Sequence, residues 1–288
     1  VHAPRRVLLL LAAALAAGAL TACGGDMFAS FTERYFFYPD KVVYTTPRAH
    51  GLQSQDLHIP GPDGSTLHAW WMPARGPAVG TVLHVHGNAA NISNHLPLVA
   101  WLPDAGFNLL TFDYRGYGQS NGAHSLAGVV ADTLAALKHL RTLPGVDPQR
   151  LVVIGQSLGG ATALRAVAQD AAGIRLLVID SAFSSYRGIA REALEHIGPI
   201  GVLGPLLIPT LPGDNDDPIA AAARLKVPLL VVHGSRDIVV PQHHGERIFA
   251  AAPEPKRWIG VDEGEHVDAL VRPDVQHQVR EALIAAVR

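Results

Sequence analysis

Leu151-Val152-Val153-Ile154-Gly155-Gln156-Ser157-Leu158-Gly159-Gly160-Ala161-Thr162 reads as a strand, a sharp turn and the opening of a helix. The run before Gly155 is apolar without alternation, the pattern of a strand covered on both faces. Gly155 and Gly159 stand two residues either side of Ser157, where the absence of a Cβ lets neighbouring backbone come close. A turn that tight holds Ser157 in a strained conformation and lifts its hydroxyl above the sheet edge. The helix that follows points its positive end at any negative charge developing there. Gly-x-Ser-x-Gly alone is common; between a strand and a helix it marks the position of a nucleophile.

Working outward, short apolar runs alternate with helical periodicity. Strands are expected over 53–59, 66–72, 81–86, 107–113, 151–155, 176–180, 228–233 and 257–261, and helices over 125–143, 158–169, 241–251 and 273–287. The first two strands flank Pro60-Gly61-Pro62-Asp63-Gly64 and should pair antiparallel. The remainder imply an α/β fold, a mostly parallel eight-stranded sheet flanked by helices. An insertion over about 181–225, rich in Gly and Pro and carrying Ile197, Ile200, Leu203, Leu206 and Leu207, interrupts the rhythm and reads as a short apolar cap.

A serine nucleophile needs a base, and the base an acid to orient it. His233-Gly234-Ser235-Arg236-Asp237 follows the strand at 228–233 and puts Asp237 at its C-terminal end, where open α/β sheets gather functional groups. Gly264-Glu265-His266 follows the last strand and supplies His266 as the base. Asp180 also ends a strand and is the rival acid; the Gly-Ser-Arg-Asp-x-x-Val-Pro pattern favours Asp237. His84 and His86 share a strand face without a third ligand beside them, so no metal is expected there. His86 reads as structural, His243-His244 as surface residues near a helix start, and Asp113 and Arg115 as braces for loops.

Ser157, Asp237 and His266, in that chain order and at strand ends, resemble the α/β-hydrolase family. His86-Gly87-Asn88-Ala89-Ala90-Asn91, Phe112-Asp113-Tyr114-Arg115-Gly116-Tyr117-Gly118-Gln119-Ser120 and Leu211-Pro212-Gly213-Asp214 resemble most the membrane-associated branch related to the yeast bud-emergence protein. That resemblance covers the chain from about Tyr44 onward and implies the α/β-hydrolase fold. It implies Ser157, His266 and Asp237 as catalytic triad and the backbone N–H groups of Asn88 and Leu158 as oxyanion hole. Asn91 occupies the family's second asparagine position. A serine at the elbow leaves esterases, thioesterases, amidases and serine peptidases; ester cleavage is the first expectation, because an alkoxide leaves more easily than an amine. A non-catalytic scaffold on the same fold is the third possibility. Nothing resembles a phosphate loop or dinucleotide fingerprint, so no cofactor is expected.

The chain has 288 residues, of which 48% are hydrophobic and 17% charged, with a formal charge of −2 and a single cysteine. The charge gives no basic surface for nucleic acid, and one cysteine excludes an internal disulfide framework. Arg5 and Arg6 precede an apolar run from Val7 to Leu20, then Leu20-Thr21-Ala22-Cys23-Gly24. This resembles a bacterial lipoprotein signal peptide over 1–22, with Cys23 as the lipidated residue. The implied organisation is a membrane-anchored tether over 23–45 and a hydrolase domain over 46–288 in the bacterial envelope, facing the periplasm. The tether carries Phe28, Phe31, Tyr35, Phe36, Phe37, Tyr38 and Tyr44, which either pack on the domain or sit in the lipid interface, packing being the better reading. The partners expected are a small acyl substrate and, through Cys23, a membrane.

Overall fold

The computed structural model describes residues 36–195 and 208–288. The leader over 1–22, Cys23, Phe28, Phe31, Tyr35 and the five apolar cap residues named above lie outside the described residues. Among the described residues no helix is long and apolar enough to cross a membrane.

The strands are β1 (Tyr38–Pro39), β2 (Gln55–Pro60), β3 (Thr66–Met72), β4 (Gly80–Val85), β5 (Ala89–Ala90), β6 (Phe107–Phe112), β7 (Leu151–Gln156), β8 (Ile174–Asp180), β9 (Leu229–Gly234) and β10 (Lys256–Val261). The helices are α1 (Ile92–Val99), α2 (Leu126–Leu140), α3 (Leu158–Gln169), α4 (Tyr186–Glu195), α5 (Pro218–Ala222), α6 (His243–Ala251) and α7 (Pro273–Val287). Eight strands form one sheet in the order β10-β9-β8-β7-β4-β6-β3-β2. β2 and β3 pair antiparallel, as do β3 and β6, and all other neighbours are parallel.

Two apolar layers explain the unbroken strand runs. On one face Leu83, Val85, Val153, Ile179 and Val231 pack under Val129 of α2, Leu164 of α3 and Ile248 of α6. On the other, Val82, Val152, Ile154, Val178 and Val232 meet Leu96 of α1 and Val279 and Leu283 of α7. Successive strand residues point to opposite faces, and here both faces are dry.

After β4 the chain passes to β6 on one side of it and returns to β7 on the other. The connections leaving β4 and β7 therefore diverge, opening a crevice beyond their carboxyl ends, where open α/β sheets bind ligands. The turns at 86–91 and 155–160 both border that crevice.

The sequence reading missed α1, β1, β5, α4 and α5. Asn91 caps α1 by accepting from the Ser93 N–H at 2.9 Å, a start obscured by Pro97 inside the helix. β1 pairs with β5 in a separate two-stranded ribbon, each strand too short to show periodicity. α4 lies in the insertion read as a cap.

Candidate active site

The elbow is built by exclusion. A Cβ at residue 159 would run into the Val85 carbonyl, and one at residue 155 would lie 2.5 Å from the Gly159 carbonyl, so both positions need glycine. Ser157 between them has φ 53° and ψ −119°. Its N–H donates to the Asp180 carbonyl at 2.8 Å, and its carbonyl accepts from the N–H groups of Gly160 and Ala161 at 3.0 and 3.1 Å. These bonds hold the side chain upright on a helix start.

Three loop residues from separate strand ends meet there. The Ser157 Oγ lies 3.0 Å from His266 Nε2 and can donate to it, while His266 Nδ1–H donates to Asp237 Oδ2 at 2.8 Å. Asp237 Oδ1 accepts from the N–H groups of Val239 and Val240 at 3.0 and 2.8 Å. Burial alone would raise the Asp237 pKa, but His233, His266 and the Val240 N–H hold its carboxyl far below the usual range. Asp237 is thus an anion fixed in place, suited to orient an imidazole and to stabilise its charged form. Glu265, next in sequence to His266, is exposed.

Asp180 has different company. Its carboxylate accepts from Gln156 Nε2 at 3.4 Å and from Ser181 Oγ at 3.1 Å. The Ser181 Oγ accepts in turn from the Val267 N–H at 3.3 Å, and Gln156 Oε1 accepts from His84 Nε2 at 2.8 Å. A buried polar chain from His84 therefore runs beneath the elbow to the loop carrying His266. Burial pushes Asp180 up to about 6.

The turn after β4 is held by its carbonyls. His86 O accepts from Tyr114 OH at 2.7 Å, and Gly87 O from His86 Nδ1 at 2.8 Å. Asn88 O accepts from Tyr117 OH at 2.8 Å and from the Tyr38 N–H at 2.9 Å, and Ala89 O from His95 Nε2 at 3.1 Å. In a trans peptide the N–H points opposite to the preceding carbonyl. With the Gly87 carbonyl turned to the His86 ring, the Asn88 N–H faces away from it. The Ser157 carbonyl is committed to α3 in the same way, so the Leu158 N–H projects from the helix start.

Sequence reading singled out Ser157, Asp237 and His266, and the structure brings those three side chains together. It did not identify Tyr38, His95, Tyr114 and Tyr117 as supports of the turn, because their partners are backbone atoms, distant in sequence for the three tyrosines. Asn91 donates to Asp40 Oδ1 at 2.9 Å and to Val42 O at 2.8 Å, clasping the incoming chain. Asp113 accepts from the Ile92 N–H at 2.8 Å, and Arg115 forks onto Asp132 and also pairs with Asp63, so both brace loops. His84 and His86 are buried, each with its own hydrogen-bond partner. One expectation needs correction: His243 is partly exposed, but His244 is fully buried, because its imidazole turns inward to Ser184. Of the aromatic tether, Phe36 packs on Phe183 and Tyr186 and Phe37 on Tyr117 and His124, while Tyr38 and Tyr44 stay exposed.

Comparison with known proteins gives the same architecture. A family model described as serine aminopeptidase, S33, matches residues 76–207. The uncharacterised protein YfhR of Escherichia coli K12 is 40% identical over 241 residues, covering 82% of this chain and 80% of YfhR. Protein bem46 of Schizosaccharomyces pombe is 28% identical over 218 residues, covering 74% of this chain and 70% of bem46. The crystal structure of the Pyrococcus furiosus esterase Pf2001 superposes with a TM-score of 0.71 at 23% identity, over 87% of this chain and all of that one.

Proposed function

The chain belongs to the α/β-hydrolase family, and on that premise we propose that it is a serine hydrolase cleaving carboxylic esters through an acyl-enzyme. The observation that carries this reading is the unbroken hydrogen-bonded line from Ser157 through His266 to Asp237 at the mouth of the crevice. Ser157 Oγ attacks the carbonyl carbon as His266 Nε2 takes its proton. The oxygen that gains the charge is bound by the N–H groups of Asn88 and Leu158, each such donor contributing roughly 3 kcal/mol to the transition state. His266 then gives the proton to the departing alkoxide. Water, activated by the same imidazole, attacks the acyl-enzyme and frees both the acid and Ser157.

The esterase fold neighbour supports esters, and the aminopeptidase description of the family model supports amides as the second reading. Matched p-nitrophenyl ester and p-nitroanilide substrates with one acyl group separate the two. Ester turnover that vanishes in Ser157→Ala and His266→Ala, both folded, is the expected result. Faster anilide cleavage would replace the ester reading with the peptidase one, and undiminished turnover in Ser157→Ala would end both.

The same proposal places the protein on the bacterial envelope, facing the periplasm, through lipid on Cys23. The Arg5-Arg6 start, the apolar run and the lipobox-like 20–24 segment support it. Radiolabelled palmitate should mark the wild-type chain in a bacterial host and not Cys23→Ser; equal labelling would remove the anchor.

A further inference from the structure

Away from Ser157, three chemically compatible side chains converge from two elements. Glu192 of α4 offers Oε1 to His243 Nε2 at 3.1 Å and Oε2 to His244 Nε2 at 3.2 Å. The two histidines open α6, and their rings stack at 4.5 Å so that both ε nitrogens face one carboxylate. One donor atom from each residue lies within 4.8 Å of the others. A zinc ion bound at about 2.1 Å needs donors roughly 3.4 Å apart, a contraction that side-chain torsions can supply.

We propose that Glu192, His243 and His244 bind a divalent transition-metal ion, with zinc as the best fit, and that the ion fastens α4 to α6. Two imidazoles and one carboxylate form a borderline donor set suited to zinc and poor for calcium or magnesium, which prefer oxygen. The side chains of His243 and Glu192 are 39% and 28% exposed, which leaves an open side for a water as fourth ligand. His244 is fully buried, with its Nε2 facing the Glu192 carboxylate. Its Nδ1 is 2.8 Å from Ser184 Oγ and 3.2 Å from the Ser184 N–H. Without metal, the Ser184 N–H donates to Nδ1, so Nε2 carries the proton and gives it to Glu192. With metal on Nε2 the proton moves to Nδ1, where Ser184 Oγ accepts it, the kind of outer contact that orients a ligating histidine. The Ser184 N–H must then turn aside. That cost, the positive start of α6 and nearby Arg247 place the affinity below that of a closed structural zinc site.

The inference is independent of the hydrolase chemistry. The full-length protein, free of any histidine tag and stripped with chelator, is titrated with zinc by calorimetry and with cobalt by visible absorption. A single saturable equivalent is expected, with cobalt bands of low coordination number. Glu192→Gln and His243→Gln, both at partly exposed positions, should each weaken binding by roughly tenfold or more. His266→Ala should leave it intact, which separates this cluster from Ser157 and its neighbours. Amide exchange in α4 should slow with zinc in the wild type only. No saturable binding would leave a hydrogen-bonded clasp only and overturn the proposal. Binding unchanged by both Glu192→Gln and His243→Gln, or lost with His266→Ala alone, would overturn it equally.

Discussion

Ser157 carries a positive φ that costs a non-glycine residue about 1–3 kcal/mol, and it is not alone. Ser181 and Val267, joined by a hydrogen bond, have φ of 55° and 53°, and for a β-branched residue such as Val267 that conformation is unusual. Three of the five non-glycine residues with positive φ among the described residues thus gather round His266, held by the chain from His84 through Gln156 and Asp180. This separates the two acids by role: Asp237 touches the imidazole, whereas Asp180 positions the loops on either side of it. Asp237→Asn should lower kcat by about four orders of magnitude, as the wrong tautomer does in such triads. Asp180→Asn should cost far less, with the loss spread over kcat and stability. Steady-state kinetics of both folded variants check this, and a larger loss in Asp180→Asn would exchange the assignments. At this scale Ser157, Asp237 and His266 were legible because each sits in a short local pattern beside a strand. The Gln156–Asp180–Ser181 link was not, since its parts come from neighbouring strands.

Among elements, the small ribbon of β1 and β5 gives the N-terminal stretch a task. The Tyr38 N–H holds the Asn88 carbonyl, and the Asp40 N–H donates to the Ala90 carbonyl at 3.2 Å. Asn91 closes the arrangement, capping α1 while clasping Asp40 and Val42. Asn91→Ala should therefore lower kcat more than it raises KM, because the turn bearing the Asn88 N–H loosens. It should also lose about 1 kcal/mol of stability as a missing helix cap. Kinetics beside urea unfolding would test it; a stability loss with kcat unchanged would make Asn91 a cap only. Strand existence was legible here because dry strands are long apolar runs. The two-residue ribbon and α1 were not, since neither carries a period and Asn91 reads equally as turn or cap.

For the whole molecule, the balance of buried titratable groups sets the response to acid. Burial pushes His84 down to about 3 and His95 and His244 to about 4, and holds His86 well below its usual value. Each takes up a proton on unfolding between its folded value and the unfolded value near 6.5. The unfolded chain then binds more protons than the native one, so stability falls as pH drops through that window. Asp180, raised to about 6, works the other way between roughly pH 4 and 6. His68, Asp113, Asp132 and Asp217, whose values are also raised, share its sign; the direction predicted is that of the four histidines. Unfolding free energy from denaturant titration should be lower at pH 5 than at pH 7, and the slope should shrink in a folded His84→Gln variant. A flat profile would contradict this balance. The α/β class was legible at this scale from the alternation of elements. The order of the sheet was not, because the switch at β4 is set by which side each crossover takes, and periodicity does not record that.

Hydrolysis at this site depends above all on an activated Ser157. The most direct test is reaction of the folded protein with a fluorophosphonate probe, followed by peptide mass mapping. One covalent adduct is expected, on Ser157, and it should disappear in His266→Ala. An adduct on another residue, or none on protein shown to be folded, would contradict the Ser157 assignment.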